Sequence, residues 1–258
     1  MRRFSTAYLR ETRRGMWEQR DALVSLRLDE RERILDVGCG EGALTRVLKA
    51  ESDGEVVGCD RDVELLSELA SPAVRGDATE LPFADDSFEL VVCQALLINL
   101  PDPTAAVREF ARVASETVAS IEPDNSAVVV ESTAEGEVKL AARARRRYLD
   151  GVGTDVALGS RAVELFRDVG LSDVAVERYE HELVVEPPYS ESDLRAASRK
   201  ASGAGLRERR ETMAGSEEAL DSLRREWRRM GRTVVEQLQS GEYRRRERVP
   251  FYIVSGEL

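Results

Sequence analysis

The stretch Ile34-Leu35-Asp36-Val37-Gly38-Cys39-Gly40-Glu41-Gly42 constrains this chain more than any other. An apolar-rich run leads into three glycines at alternate positions, and Ala43 to Leu48 follows with helical spacing. That pattern spells a strand, a tight turn and a helix start. Glycine reaches backbone angles closed to other residues and carries no Cβ, so a flat ligand can lie against the main chain. Gly38 to Ala43 also fits, loosely, the dinucleotide fingerprint, which is a weak signal alone. Charge separates the two readings. Asp36 stands two residues before the first glycine and Glu41 lies inside the turn, where both would repel a pyrophosphate. A ligand with an ammonium, a sulfonium and no phosphate meets no such repulsion.

Further acids fall at strand ends. A second strand, Val56 to Cys59, ends in Asp60, at the separation from the glycines where a carboxylate takes ribose hydroxyls in a doubly wound sheet. A third short run ends in Gly76-Asp77-Ala78, and Asp77 can accept from an exocyclic amine of an adenine.

With these motifs and Leu81-Pro82-Phe83-Ala84-Asp85-Asp86-Ser87-Phe88-Glu89-Leu90-Val91-Val92, the chain resembles the class I S-adenosylmethionine-dependent methyltransferases, in particular the type 11 or UbiE-like small-molecule branch. The resemblance spans roughly residues 30 to 125. It implies an α/β fold: a Rossmann-like, seven-stranded, mostly parallel sheet with an antiparallel last strand. It also implies S-adenosyl-L-methionine on Asp36, Gly38, Cys39, Gly40, Asp60, Arg61, Asp77, Ala78, Gln94 and Ala95. In that reading Gly38 and Gly40 lie under the methionine part, Asp60 binds the ribose, Asp77 with Ala78 holds the adenine, and Gln94 closes the pocket. Two positions depart from the family: Ala114-Ser115-Glu116-Thr117 replaces a glycine-rich turn before strand five, and Glu89 stands where Asp is commoner.

The alternation of strands and helices indicates an open parallel sheet with its site outside the carboxyl ends of the strands. Around a core at 34–186 and 249–258, the expected additions are an N-terminal helical lid (1–33), a helical insertion near 131–159 and a helical cap (187–248). Residues 4 to 28 read as one helix, with Tyr8 and Trp17 as lid or packing residues. In the cap, Leu220, Leu223, Trp227, Met230, Val234 and Leu238 recur at three- and four-residue steps, so one long amphipathic helix is expected. Its stripe faces the rest of the domain or forms a homodimer seam through 220–238.

Methyl transfer from a sulfonium asks the protein for in-line positioning and, at most, removal of one proton. Candidate bases are Glu122 and Asp124 after strand five, then His181 and Tyr148. The arginine-rich face at 143–147 reads as solvated or as a patch for an acidic substrate. Cys39, Cys59 and Cys93 show no metal-ligand spacing, and no metal is expected. The alternatives are a nicotinamide-dependent oxidoreductase, disfavoured by Asp36 and Glu41, and a non-catalytic S-adenosylmethionine-binding module.

No apolar run reaches membrane-spanning length, and Met1 to Thr6 precedes no signal-like segment, so a cytoplasmic protein acting on a small molecule is expected. The net charge of −11 argues against nucleic acid, whose binding rests on phosphate attraction. Only Lys49, Lys139 and Lys200 are lysines among 38 basic residues, and this acidic, lysine-poor composition suggests a halophilic, salt-adapted protein. The urea midpoint is therefore expected to rise from low to molar KCl; a maximum in low salt would overturn the salt-adapted reading.

Overall fold

The computed structural model describes residues 6–18 and 20–258, with Ala7 and Tyr8 as backbone only. From the amino end, α1 (Thr6–Thr12) precedes two 3-10 turns, Asp21–Leu26 and Leu28–Glu30. Then come β1 (Arg33–Val37), α2 (Ala43–Glu51), β2 (Glu55–Asp60), α3 (Val63–Leu66), β3 (Ala73–Arg75), β4 (Phe88–Gln94), α4 (Pro103–Val113) and β5 (Ala114–Pro123). The chain continues through β6 (Val129–Ser132), α5 (Glu137–Gly151), α6 (Ala162–Asp168) and β7 (Ser172–Val185). It ends with α7 (Glu191–Ser202), α8 (Ala204–Glu208), α9 (Glu217–Ser240) and β8 (Arg245–Glu257).

The described residues form two compact units, one of those up to 124 with 158–179 and 250–258, the other of 125–157 and 180–249. In the first, β3, β2, β1, β4 and β5 lie side by side in parallel, and β8 pairs antiparallel with β5. The register sets Val37 beside Cys59 and Cys93, and Cys93 beside Ser120, so the carboxyl ends of the strands align. β4 is buried almost throughout, as a central parallel strand requires of a near-continuous apolar run. α4 starts where Asp102 accepts the Ala105 N–H at 3.0 Å, and it buries Ala106, Val107, Phe110 and Val113 beneath the sheet's core residues Val91, Cys93 and Val118. α4 runs directly into β5, so no separate turn precedes strand five.

The expected helix over 4–28 is not one helix. Gly15, at φ +73°, turns the chain after α1, and 3-10 turns follow. Residues 4, 5 and 19 and the Tyr8 side chain lie outside the described residues. β7 also pairs with β8, and in the second unit the short β6 pairs antiparallel with residues 245–248 of β8.

In the second unit α5, α7 and α9 pack around Leu140, Ala197, Leu223, Met230, Val234 and Tyr243. The apolar stripe of α9 is buried in this unit's own core. Gly231 makes the contact of α7 with α9 possible: a Cβ there would sit 2.4 Å from backbone atoms of Lys200 and Ala201, which cannot rotate away. Gly231→Ala is therefore expected to destabilise this unit by about 1–3 kcal/mol through overpacking, read as a lower guanidinium midpoint. An unchanged midpoint would refute so close a crossing.

Candidate functional site

The glycine turn after β1 has φ of +70°, +56° and +82° at Gly38, Gly40 and Gly42, angles that a side chain would strain. Its amides are stitched to the next strand. Gly38 and Cys39 donate to the Cys59 carbonyl at 2.7 and 3.2 Å. The Asp60 carboxylate accepts Gly40 N–H at 2.9 Å and Asp62 N–H at 2.8 Å, one bond to each oxygen. Asp60 thus holds the turn's shape and keeps lone pairs on both oxygens. The space freed by the missing Cβ atoms is lined by leucines. A Cβ on Gly38 would lie 2.8 Å from Leu96, one on Gly40 3.2 Å from Leu9, and one on Gly42 2.0 Å from Leu69.

The two acids of the turn are both turned inward. Asp36 is 1% exposed, with one oxygen accepting the Thr45 hydroxyl at 2.6 Å and the other buried without a hydrogen bond. Burial pushes its pKa up to about 6, against the Thr45 hydrogen bond and the attraction of Arg13. Glu41 is also buried and takes the Arg10 guanidinium at 2.8 Å. Beside them Gln94, at the end of β4, is buried. Its amide nitrogen is 2.8 Å from the Met16 sulfur, and its carbonyl oxygen has no partner. The Tyr179 hydroxyl donates to the Met16 carbonyl, and Trp17 stacks on Tyr179 with ring centroids 5.9 Å apart.

The remaining expected residues divide. Asp77 is exposed at its strand end, where the Thr79 amide and hydroxyl hold its carboxyl below the usual range. Ala78 beside it is buried, and Arg61 is exposed. Ala95 follows Gln94 at φ +49°, a left-handed angle for a residue with a Cβ. Glu122 is wholly buried, and both its oxygens are engaged by backbone N–H groups of residues 96–98. Asp124 donates its own N–H to the Pro250 carbonyl. His181, buried on β7, and Tyr148 belong to the second unit. Arg143 pairs with Glu226 at 2.7 Å, while Arg145 and Arg147 donate to the Val128 and Ala214 carbonyls. Much of that basic face is thus spent inside its own unit.

Sequence reasoning did not single out Thr45, Arg10 or Met16 as residues of this edge. Thr45 left one signal, a polar residue on the buried face of α2. All three cysteines are free and buried, and burial pushes each thiol pKa up, so they behave as small apolar residues. Among the described residues no cluster is suited to a metal ion, and no helix is long and apolar enough to cross a membrane.

Residues 35–117 match the family model described as a methyltransferase domain. Over 95 residues the chain is 40% identical to a 2-phytyl-1,4-naphtoquinone methyltransferase of Synechococcus elongatus, covering 32% of this chain and 41% of that one. Over 98 residues it is 38% identical to a demethylmenaquinone methyltransferase of a Mycobacterium species, covering 37% and 42%. The chain thus spans less than half the length of these curated relatives. A SAM dependent methyltransferase from Archaeoglobus fulgidus shares the fold, with a TM-score of 0.53 at 15% identity over 98% of this chain and 100% of that one.

Asp36 has a sign that can be measured. Its folded-state pKa of about 6 lies above the ordinary 3.8, so its contribution to stability is full below pH 3.8 and is lost as pH rises through 6. Asp36→Asn keeps an acceptor for Thr45 and removes the charge. The variant is expected to exceed the wild type in urea-unfolding stability at pH 8 by about 2 kcal/mol, with the gap shrinking toward pH 4. A gap independent of pH would refute the buried, ionised carboxylate.

Proposed function

We propose that this chain, whose residues 35–117 match a methyltransferase domain model, transfers the methyl group of S-adenosylmethionine to a small-molecule acceptor at O, N, S or C. The observation that carries the reading is the Asp36 carboxylate, buried at the head of the glycine turn with one oxygen lacking any hydrogen bond. A buried acid so placed suits a cationic, phosphate-free nucleoside and opposes a diphosphate. The positive φ angles at Gly38, Gly40 and Gly42 and the unpartnered Gln94 carbonyl fit the same ligand.

When bound, the cofactor supplies a methyl group on a sulfonium whose departure leaves a neutral thioether. The chain's own residues then have to bind, orient and exclude water. The free lone pairs of Asp60 suit ribose hydroxyls, exposed Asp77 beside buried Ala78 suits the adenine, and Asp36 suits the cationic end. Gly38, Cys39, Gly40, Arg61, Gln94 and Ala95 complete the proposed binding set. Leu9, Leu69 and Leu96, packed at the glycines, supply apolar walls that keep water from the turn. Glu122, whose oxygens hold backbone amides, and Asp124 are the candidate bases within this unit.

The curated relatives are named for naphthoquinone-type acceptors, and an acceptor of that class is one member of the small-molecule range proposed. Calorimetry decides the cofactor: S-adenosylmethionine is expected to bind at micromolar concentration, and Asp60→Ala to weaken it by about tenfold or more. No heat from the intact protein, or equal affinity in the variant, would overturn the reading, as would a thermal shift with NAD and none with S-adenosylmethionine.

A further inference from the structure

At the end of β5 two consecutive residues collect four consecutive amides of the loop that follows β4. The Ile121 carbonyl accepts Ala95 N–H at 2.9 Å. One Glu122 oxygen accepts Leu96 N–H at 3.0 Å and Leu97 N–H at 2.8 Å, and the other accepts Ile98 N–H at 3.3 Å. These amides open the 3-10 turn Leu97–Asn99, whose first N–H groups have no partners within the turn itself. The carboxylate plays the part that a bound anion plays at a helix start, but from inside the chain. The consequence is carried to the glycine turn. Leu96, held through its own amide, packs its methyls at Gly38, and Ala95 takes its left-handed angle between the Ile121 bond and the Glu122 bonds.

We propose that Glu122 is a positioning residue of the methyl-transfer site: its ionised carboxylate clamps residues 96–98 so that Leu96 stays packed against the glycine turn at Gly38, and neutralising it loosens that wall. This rests on the cofactor reading above. Glu122 is wholly buried, and no Lys or Arg side chain among the described residues is bonded to it. Its titratable neighbours are Cys93 on β4, whose thiol donates to it at 3.8 Å and is kept protonated by burial, Tyr252 directly opposite on β8, and Asp124 two residues on. Burial pushes the pKa of Glu122 up to about 7 despite the three amides, so the clamp changes charge near neutral pH.

Glu122→Gln in the full chain tests this, because it keeps the shape and one acceptor while removing the charge. Without cofactor, amide exchange at residues 96–98 is expected to be about tenfold faster in the variant than in the wild type at pH 8. Wild-type protection, corrected for intrinsic chemistry, should fall toward the variant's at pH 6. With S-adenosylmethionine the ratio of variant to wild-type Kd should be about ten at pH 8 and approach one at pH 6, a comparison in which titrations shared by both proteins cancel. Equal exchange in the two proteins, or a Kd ratio that does not move with pH, overturns the clamp. Should the variant fail to fold, wild-type protection at 96–98 decides: a fall from pH 8 to pH 6 supports the clamp and constancy overturns it. A wild type that shows the exchange behaviour but binds no cofactor overturns the cofactor reading and leaves the loop contact standing.

Discussion

Carboxylates buried at the carboxyl edge of one parallel sheet are the constraint that the local structure of the first unit answers. Removing a charged acid from water is costly unless donors replace the lost hydration. Asp36 receives one donor, the Thr45 hydroxyl, which comes from the helix that the glycine turn launches. Glu122 receives three backbone amides, and the loop after β4 is bent into a 3-10 turn that delivers them. In each case an element's conformation at the edge is inseparable from the acid it serves.

The same bonds tie each strand end to its neighbour. Asp60 on β2 fixes the turn after β1, and Glu122 on β5 fixes the loop after β4. Between β1 and β4 the ladder itself sets Val37 beside Cys93. The edge is thus braced from both sides by acids one strand over, and its glycines face side chains of fixed position rather than a mobile loop. Such bracing would serve the proposed in-line displacement, in which an error of an ångström in the reacting groups costs orders of magnitude in rate.

How much of this could be read in advance depends on the range of each interaction. β1, the glycine turn, α2, β4 and the Asp102 cap are local, and their signals are written within a few residues of one another. Strand ends carrying Asp36, Asp60 and Asp77 were legible because alternating strands and helices dictate a parallel sheet with aligned carboxyl ends. The Glu122 bonds cross about two dozen positions, and no spacing announces that an acid after β5 will fold back on residues 96–98. α1 failed as a long helix because the apolar period runs through Gly15 while the backbone does not. The second unit was read as two insertions, 131–159 and 187–248, since only tertiary packing reveals that Leu140 and Met230 share one core.

The second unit supplies the control for the acids of the first. Glu137 there is as deeply buried as Asp36, and burial alone would raise its pKa. Yet Lys200 and Arg245, with hydrogen bonds from Ser132 and Tyr243, outweigh burial and hold it below the ordinary value. The chain therefore has the means to neutralise a buried acid and uses them where the role is structural. Among the described residues no side-chain cation is hydrogen-bonded to Asp36 or Glu122, and both are raised instead, Asp36 against the attraction of Arg13. Acids left in that condition cost stability in the free protein and gain when a positive charge arrives. Upward-shifted carboxylates at a strand edge are where electrostatic strain and function coincide. A sulfonium nucleoside would bring a positive charge to that edge, whereas a pyrophosphate would add further negative charge to it.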